Sequence, residues 1–243
     1  MKKAEEYIGN IKELFEKVLE TQMDNIDDAA KCMAESLKGG KWIYIFGTGH
    51  SHMLAEELFY RAGGLVRIKP ILEDGLMLHQ SAAKSTELER ISGYADILLD
   101  EYGVTVGDTM IIISNSGRNS VCVEMALGAS RRGMHTIALT SRNHSTQSES
   151  RHKSRKRLFE CVDVVLDNCG IYGDASISFG ERMAAPTSTV IGAMMLNAMV
   201  CAVIEILTEE GIDVELYSSS NISGGSEVNN QFIQKYKGQI KSL

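Results

Sequence analysis

The sequence predicts an α/β fold: a three-layer, Rossmann-like sandwich around a five-stranded parallel sheet, with a long N-terminal helix and a C-terminal extension. Three observations carry the prediction. Continuous apolar runs, Trp42-Ile43-Tyr44-Ile45-Phe46 first among them, alternate with segments of helical periodicity. Such runs suit parallel strands buried on both faces, and the alternation is that of βαβ units. Two of the runs end in turns rich in glycine or serine that lead into a helix. Finally, 243 residues with 44% hydrophobic content allow one large domain with a full core.

The elements follow in order. Residues 3–37 carry a helical stripe of Tyr7, Ile8, Ile11, Leu14, Phe15, Val18 and Leu19, which Met23, Ile26, Ala30, Met33 and Leu37 extend before Gly39-Gly40 stops it. A helix this long can cover more than its own domain and points to a partner subunit. The strand at 42–46 leads through Gly47-Thr48-Gly49 into a helix from His52 to Ala62, and Leu65–Ile71 is a second strand. Thr109–Ile113 is a third, followed by a turn at Ser114–Ser120 and a helix over Val121–Arg132 that Gly133 closes. Thr136–Leu139 and Val162–Leu166 complete the sheet. Pro186 stands before the last core helix, Thr189–Leu207, which Thr187 or Ser188 can cap. That helix is apolar enough to resemble a membrane span, but Asn197 and Glu205 interrupt it, so a buried core helix is expected. Two stretches, 141–154 and 168–185, lack periodicity and read as lids or binding loops. The expected division is a helical arm at 1–38, the α/β domain at 39–212 and an extension at 213–243.

Charge and composition exclude several classes. A net charge of −7 disfavours nucleic acid as a partner. The local exception, Arg151-His152-Lys153-Ser154-Arg155-Lys156-Arg157, is either a solvated loop or a mobile clamp for an anionic substrate. Five cysteines without a C-x-x-C spacing read as reduced thiols, with Cys32, Cys122 and Cys201 filling core space. The opening Met1-Lys2-Lys3 precedes no apolar signal region. The expected location is therefore cytoplasmic, with no membrane partner.

The chemistry concentrates at Ile113-Ser114-Asn115-Ser116-Gly117-Arg118-Asn119-Ser120. This string joins the C-terminal end of a buried strand to a helix N-terminus, where ligands of parallel sheets bind and unpaired N–H groups favour phosphate. Serine hydroxyls add donors, and Gly117 lets the backbone approach an anion. One capping residue would suffice to start a helix; this string has more. Gly47-Thr48-Gly49-His50-Ser51 occupies the equivalent place after the first strand. It is not a dinucleotide fingerprint, because the third glycine falls at His52, and it lacks the lysine of a P-loop. Gly49, His50 and Ser51 are candidates for contact with the sugar. So is Ser188, unless Pro186-Thr187-Ser188-Thr189 is only a helix cap. No nicotinamide or other cofactor is implied, and no His-x-x-x-His pair suggests a metal.

These motifs resemble the sugar isomerase (SIS) domain. Ser114-Asn115-Ser116-Gly117-Arg118-Asn119 is similar to its S-x-S-G-x-T signature, and Gly47–Ser51 to its first loop. Asp108, Arg132-Gly133 and Pro186–Thr189 match its layout, over about residues 30–210. More narrowly, Asp74–His79 and Pro186–Ala193 resemble a bacterial SIS family that carries the label phosphoheptose isomerase. The resemblance implies a five-stranded parallel sheet, a homodimer or higher homo-oligomer, and binding of a sugar phosphate or amino-sugar phosphate. Two positions depart from it. Asn119 replaces the signature threonine, although its amide can still donate. Phosphoheptose isomerases carry metal ligands on the first and last domain helices. Here Glu56 and Glu57 lie on the first, but Thr189–Leu207 holds no histidine or glutamine, so no matching zinc site is expected.

Proton transfer on a phosphosugar needs a base. In the SIS-type etherases a functional glutamate lies between the second and third strands, and Glu89, then Glu87, is the nearest counterpart here. Glu73 and Asp74, at the end of the second strand, are further candidates. At i and i+2 the pair Glu87 and Glu89 does not share a helix face, so at most one should point inward and the other should face solvent. His79 and His50 flank the loops and are further candidates for substrate contact or ring opening; His135 reads as structural. The reading is an isomerase or related proton-transfer enzyme. The alternative is a non-catalytic sugar-phosphate sensor, which would need the cradle but no base. The tail Ser218–Lys241 is expected to reach a neighbouring subunit and to bring Glu227 near its site.

Overall fold

The computed structural model describes residues 2–243. Five strands, β1 (Ile43–Gly47), β2 (Ile68–Ile71), β3 (Thr109–Ile113), β4 (His135–Thr140) and β5 (Val164–Asp167), form a parallel sheet of order β2-β1-β3-β4-β5. Every residue of β1 and β3 is buried, as the apolar runs require. Because side chains alternate along a strand, Ile43 and Ile45 face one layer and Tyr44 and Phe46 the other. The first layer holds α2 (Met23–Lys38), α3 (Met53–Leu58) and α8 (Ser188–Glu209). The second holds α5 (Tyr94–Glu101) and α6 (Ser120–Arg131).

The register places the site. Gly47 pairs with Ile113, Ile113 with Leu139, and Thr140 with Asp167. The loops that leave β1, β3, β4 and β5 therefore emerge side by side at the C-terminal edge. The strand order reverses between β1 and β3, and in open parallel sheets that reversal opens the ligand crevice.

Several elements differ from the sequence reading. The helix expected over 3–37 is two helices, α1 (Lys2–Thr21) and α2. The break falls at Gln22, which is 7% exposed and whose Oε1 accepts from the Asp167 N–H at 3.0 Å. This tertiary bond fixes the bend that periodicity alone does not reveal. α2 is no detached arm: Ala29, Ala30 and Met33 are fully buried against the sheet and α8. The exposed members of the apolar stripe are Ile8 and Leu19 of α1, 55% and 57% exposed, and Met23 at the start of α2. On α8, Ile191, Met195 and Met199 are fully buried, which makes it a core helix on its inner face. Cys201 is exposed on its outer face and fills no core space; Cys122 is buried and Cys32 half-buried.

The helix expected over 52–62 stops at Leu58, because Phe59 turns extended (φ −89°, ψ 133°) and Tyr60 sits at φ 47°. There Tyr60 packs its ring 4.8 Å from that of Tyr217. The extension after residue 213 explains this. Val66 N–H donates to Glu215 O (3.0 Å), Tyr217 N–H to Gly64 O (3.0 Å) and Gly63 N–H to Tyr217 O (2.7 Å). The chain then runs into α9 (Gly225–Tyr236), where Tyr236 packs edge-on to Trp42 at 5.2 Å. The extension thus lies along the β2 side of its own sheet and screens that edge. Tyr217, Tyr236 and Ile240 of the extension pack against their own chain, and Glu227 is exposed on α9.

The aperiodic stretches also hold structure. Residues 168–185 contain most of a hairpin, β6 (Ala175–Phe179) and β7 (Arg182–Pro186), that turns at Gly180. Residues 141–154 contain the short α7 (Arg142–Thr146), and α4 (Ala82–Leu88) precedes α5.

Candidate functional site

The loop between β3 and α6 is shaped by its own side chains. The Ser114 hydroxyl accepts from the Gly117 N–H at 3.1 Å and folds the turn. Gly117 sits at φ 58°, and a Cβ there would stand 3.0 Å from Leu158 Cβ and 3.2 Å from Ser145 Oγ. Asn115 is framework: its carbonyl accepts from the Ser141 N–H (3.1 Å), and its Oδ1 accepts from Asn168 Nδ2 (2.9 Å). Asn119 is the N-cap of α6, without a side-chain capping bond. The N–H groups of Ser116, Arg118 and Asn119 meet no protein acceptor among the described residues, nor does the Ser116 hydroxyl. Of the string Ser114–Ser120, therefore, Ser114 and Asn115 build the turn. Ser116, Arg118 and Asn119 leave donors open, and Ser120 is buried at the first helical position.

Glu89 is fastened to this helix N-terminus. Its carbonyl accepts from the Val121 N–H at 3.1 Å, and its Oε2 accepts from the Thr48 hydroxyl at 2.9 Å. The half-buried carboxyl thus joins the first loop to the second. Burial pushes it above the usual carboxylate range, against the opposing pull of Thr48, Arg90 and Arg151. Glu87 points the other way, 74% exposed and paired with Arg90 at 3.1 Å.

The first loop needs its glycines. A Cβ on Gly47 would stand 2.5 Å from Ser51 O, and Gly49 sits at φ 56°. Here the chain forms a short 3-10 turn, Gly49–His52, in which the buried His52 Nδ1 donates to Gly49 O at 2.7 Å. His50 and Ser51 line a narrow crevice with Asn115, Asn168 and Ser188, with room for about 20 Å³. His79 is exposed, its ring 6.3 Å from that of His52. Ser188 is already engaged. Asp174, held at φ 67°, accepts its hydroxyl at 2.6 Å and its N–H at 2.8 Å, together with the Thr187 N–H at 3.0 Å. The cap of α8 is thus Asp174, a residue remote in sequence, and not the side chain of Thr187 or Ser188.

On the first domain helix Glu57 accepts from Asn197 Nδ2 at 2.8 Å and pairs with Arg61. Among the described residues no three His, Cys, Asp or Glu side chains gather in metal-binding geometry. The basic run is anchored at His152 and at its two ends, while Arg151, Lys153, Ser154, Arg155 and Lys156 are exposed. His152 is 5% exposed, with Nε2 3.3 Å from Glu124 Oε1. Leu158 N–H donates to Gly117 O at 2.8 Å, and Arg151 N–H to Arg118 O at 2.8 Å.

The sequence model of the SIS domain matches residues 6–141, more than half of the chain. The chain belongs to the SIS-domain family. A UPF0309 protein of Geobacillus thermodenitrificans is 42% identical over 241 residues, covering 98% of this chain and 97% of its own length. Another, from Halalkalibacterium halodurans, is 41% identical over 239 residues, covering 98% and 96%. Solved SIS-type structures share the architecture. Phosphoheptose isomerase from Neisseria gonorrhoeae superposes with a TM-score of 0.55 at 16% identity, covering 85% of this chain and 98% of that one. The Vibrio vulnificus NanR protein complexed with ManNAc-6P gives 0.54 at 14% identity, covering 97% and 70%. At such identities the likeness speaks to the fold. The sugar isomerase domain of the RpiR transcription factor from Sphaerobacter thermophilus also superposes, with a TM-score of 0.53 at 16% identity, covering 97% of this chain and 98% of that one, so an isomerase and a transcription factor share the scaffold.

Proposed function

We propose that this SIS-domain protein holds the phosphate of a phosphosugar at Ser116–Asn119 and shuttles a proton on the sugar with Glu89. The observation that carries the reading is the meeting of two features at one helix end. Open donors suited to a phosphate stand there, and beside them lies Glu89, whose half-buried carboxyl accepts from the Thr48 hydroxyl and whose backbone carbonyl accepts from the Val121 N–H. In aldose–ketose isomerisation Glu89 takes the proton from the hydroxyl-bearing carbon next to the carbonyl and returns it to the former carbonyl carbon, while that hydroxyl's proton passes to the carbonyl oxygen. A carboxyl raised by burial suits both halves of that cycle. ManNAc-6P, the ligand of the related NanR structure, illustrates the amino-sugar phosphates in the proposed class.

A thermal-shift screen tests the binding half. A ligand that binds only the folded state at 100 times its Kd stabilises by about 2.7 kcal/mol. Sugar phosphates and amino-sugar phosphates should therefore raise the melting temperature by several degrees, and their unphosphorylated parents should not. Equal shifts for both, or none for any sugar phosphate, would sink the reading.

A further inference from the structure

We propose that Arg118 and Arg151 form the charged half of the phosphate site; the inference rests on the phosphate reading of the Ser116–Asn119 donors. Six of the eleven arginines pair with a carboxylate: Arg61 with Glu57, Arg67 with Glu215, Arg90 with Glu87, Arg131 and Arg132 with Asp96, Arg157 with Glu160. Arg118 and Arg151, like Arg142, Arg155 and Arg182, have no carboxylate within ion-pair distance among the described residues, but these two meet beside the open N–H groups at the start of α6. Arg118 belongs to the loop itself, and its Nε is buried without a hydrogen-bond partner. Arg151 reaches the loop from the basic run. Its N–H donates to Arg118 O, and its Nη1 donates to Asn119 Oδ1 at 2.8 Å.

The position of Arg151 is built, not incidental. The run that carries it is pinned by the buried His152 on one side and by the Leu158–Gly117 bond on the other. Burial, together with repulsion from Arg118 and Arg90, pulls the Arg151 guanidinium below its ordinary value, against the opposing attraction of Glu89 and Glu87. A fold that holds two like charges together at a cost gains when an anion arrives between them.

The charges also name the ligand. A phosphomonoester carries about −1.5 to −2 at pH 7. Two guanidiniums and a helix N-terminus, the latter worth about +0.5, more than offset that charge, with Glu89 and Glu87 acting on Arg151 in the opposite sense. A neutral sugar leaves the repulsion unrelieved, and a single carboxylate relieves only part of it. The site therefore selects phosphomonoesters by charge as well as by hydrogen bonding, with Arg118 and Arg151 setting the selectivity.

Calorimetric titration with inorganic phosphate tests this on the full chain. Arg118→Ala and Arg151→Ala should each weaken binding roughly 10-fold, and the double variant more. The double variant should also show a flatter dependence on salt. Arg118→Lys and Arg151→Lys keep the charge and should retain most of the affinity, which separates charge from folding defects. Arg155→Ala, on the same run, should bind as wild type. A double alanine variant within twofold of wild type, while Ser116→Ala is weakened, overturns the arginine assignment and leaves the cradle standing. Failure of the wild type to bind phosphate overturns both.

Discussion

Glu89→Gln is expected to cost 10²- to 10⁴-fold in turnover of the phosphosugar that the protein converts, with ligand affinity nearly unchanged. The range is that of losing a general base. Glutamine keeps the shape and can still accept from the Thr48 hydroxyl, so the loop junction survives. The sign of the stability change separates this outcome from a folding defect. Burial raises the folded-state pKa of Glu89, so the unfolded chain gives up this proton at lower pH than the folded one does. The stability held by protonated Glu89 is full below the unfolded pKa and is lost as pH rises through the folded one. At neutral pH the variant should therefore be at least as stable as wild type, in melts followed by circular dichroism. The rate should climb with pH through the raised Glu89 pKa in the wild type and lose that limb in the variant. Glu87→Gln, exposed beside Arg90, should leave the rate within about twofold, since it removes only a surface ion pair. Wild-type turnover in Glu89→Gln would show that another group is the base. Sugar-phosphate binding without conversion by the wild type would favour the sensor reading.

The second large effect belongs to the loop. Ser116→Ala should weaken sugar-phosphate binding by roughly 10- to 100-fold, the worth of a hydrogen bond to a charged group. Stability should stay unchanged, because the Ser116 hydroxyl supports nothing else in the chain. Gly117→Ala should damage both properties. Its left-handed backbone is disfavoured for alanine, at about 1–3 kcal/mol. The new Cβ also meets Leu158 at 3.0 Å, so the run carrying Arg151 must shift. Ser114→Ala should fall between, as it loosens the turn through the Gly117 N–H. Calorimetry and urea denaturation on the same preparations separate these three outcomes. Unchanged affinity in Ser116→Ala and Gly117→Ala together would remove the phosphate from this loop.

What the sequence made legible was local. The strand at Thr109–Ile113 lies where the apolar run placed it, and α6 begins one residue before the expected Val121. A buried strand, a glycine turn and a helix start each write their signal within a few residues. Spacing indicated that Glu87 and Glu89 do not share a face, but which of the two is half-buried comes from the fold. Features set by distant partners were not legible. The break at Gln22 depends on the Asp167 N–H, and the cap of α8 depends on Asp174. The 175–186 hairpin leaves most of its side chains exposed, so it carries no core-facing alternation to read. Arg151 appeared in the sequence only as part of a basic run, and its meeting with Asn119 comes from the fold. Thr48 likewise lay in the recognised first loop, yet its bond to Glu89 spans 41 residues.

The central claim is that a phosphate sits on the open amides at the start of α6. Titration of ¹⁵N-labelled protein with inorganic phosphate, followed by amide chemical shifts, reads it most directly. The largest shifts should fall on the N–H signals of Ser116, Arg118 and Asn119, with smaller ones at Thr48 and Glu89. Those of α9 and the extension, on the β2 side, should stay still. Shifts that spare Ser116–Asn119 and gather elsewhere, such as around Arg67 and Lys235 beneath the extension, would contradict it.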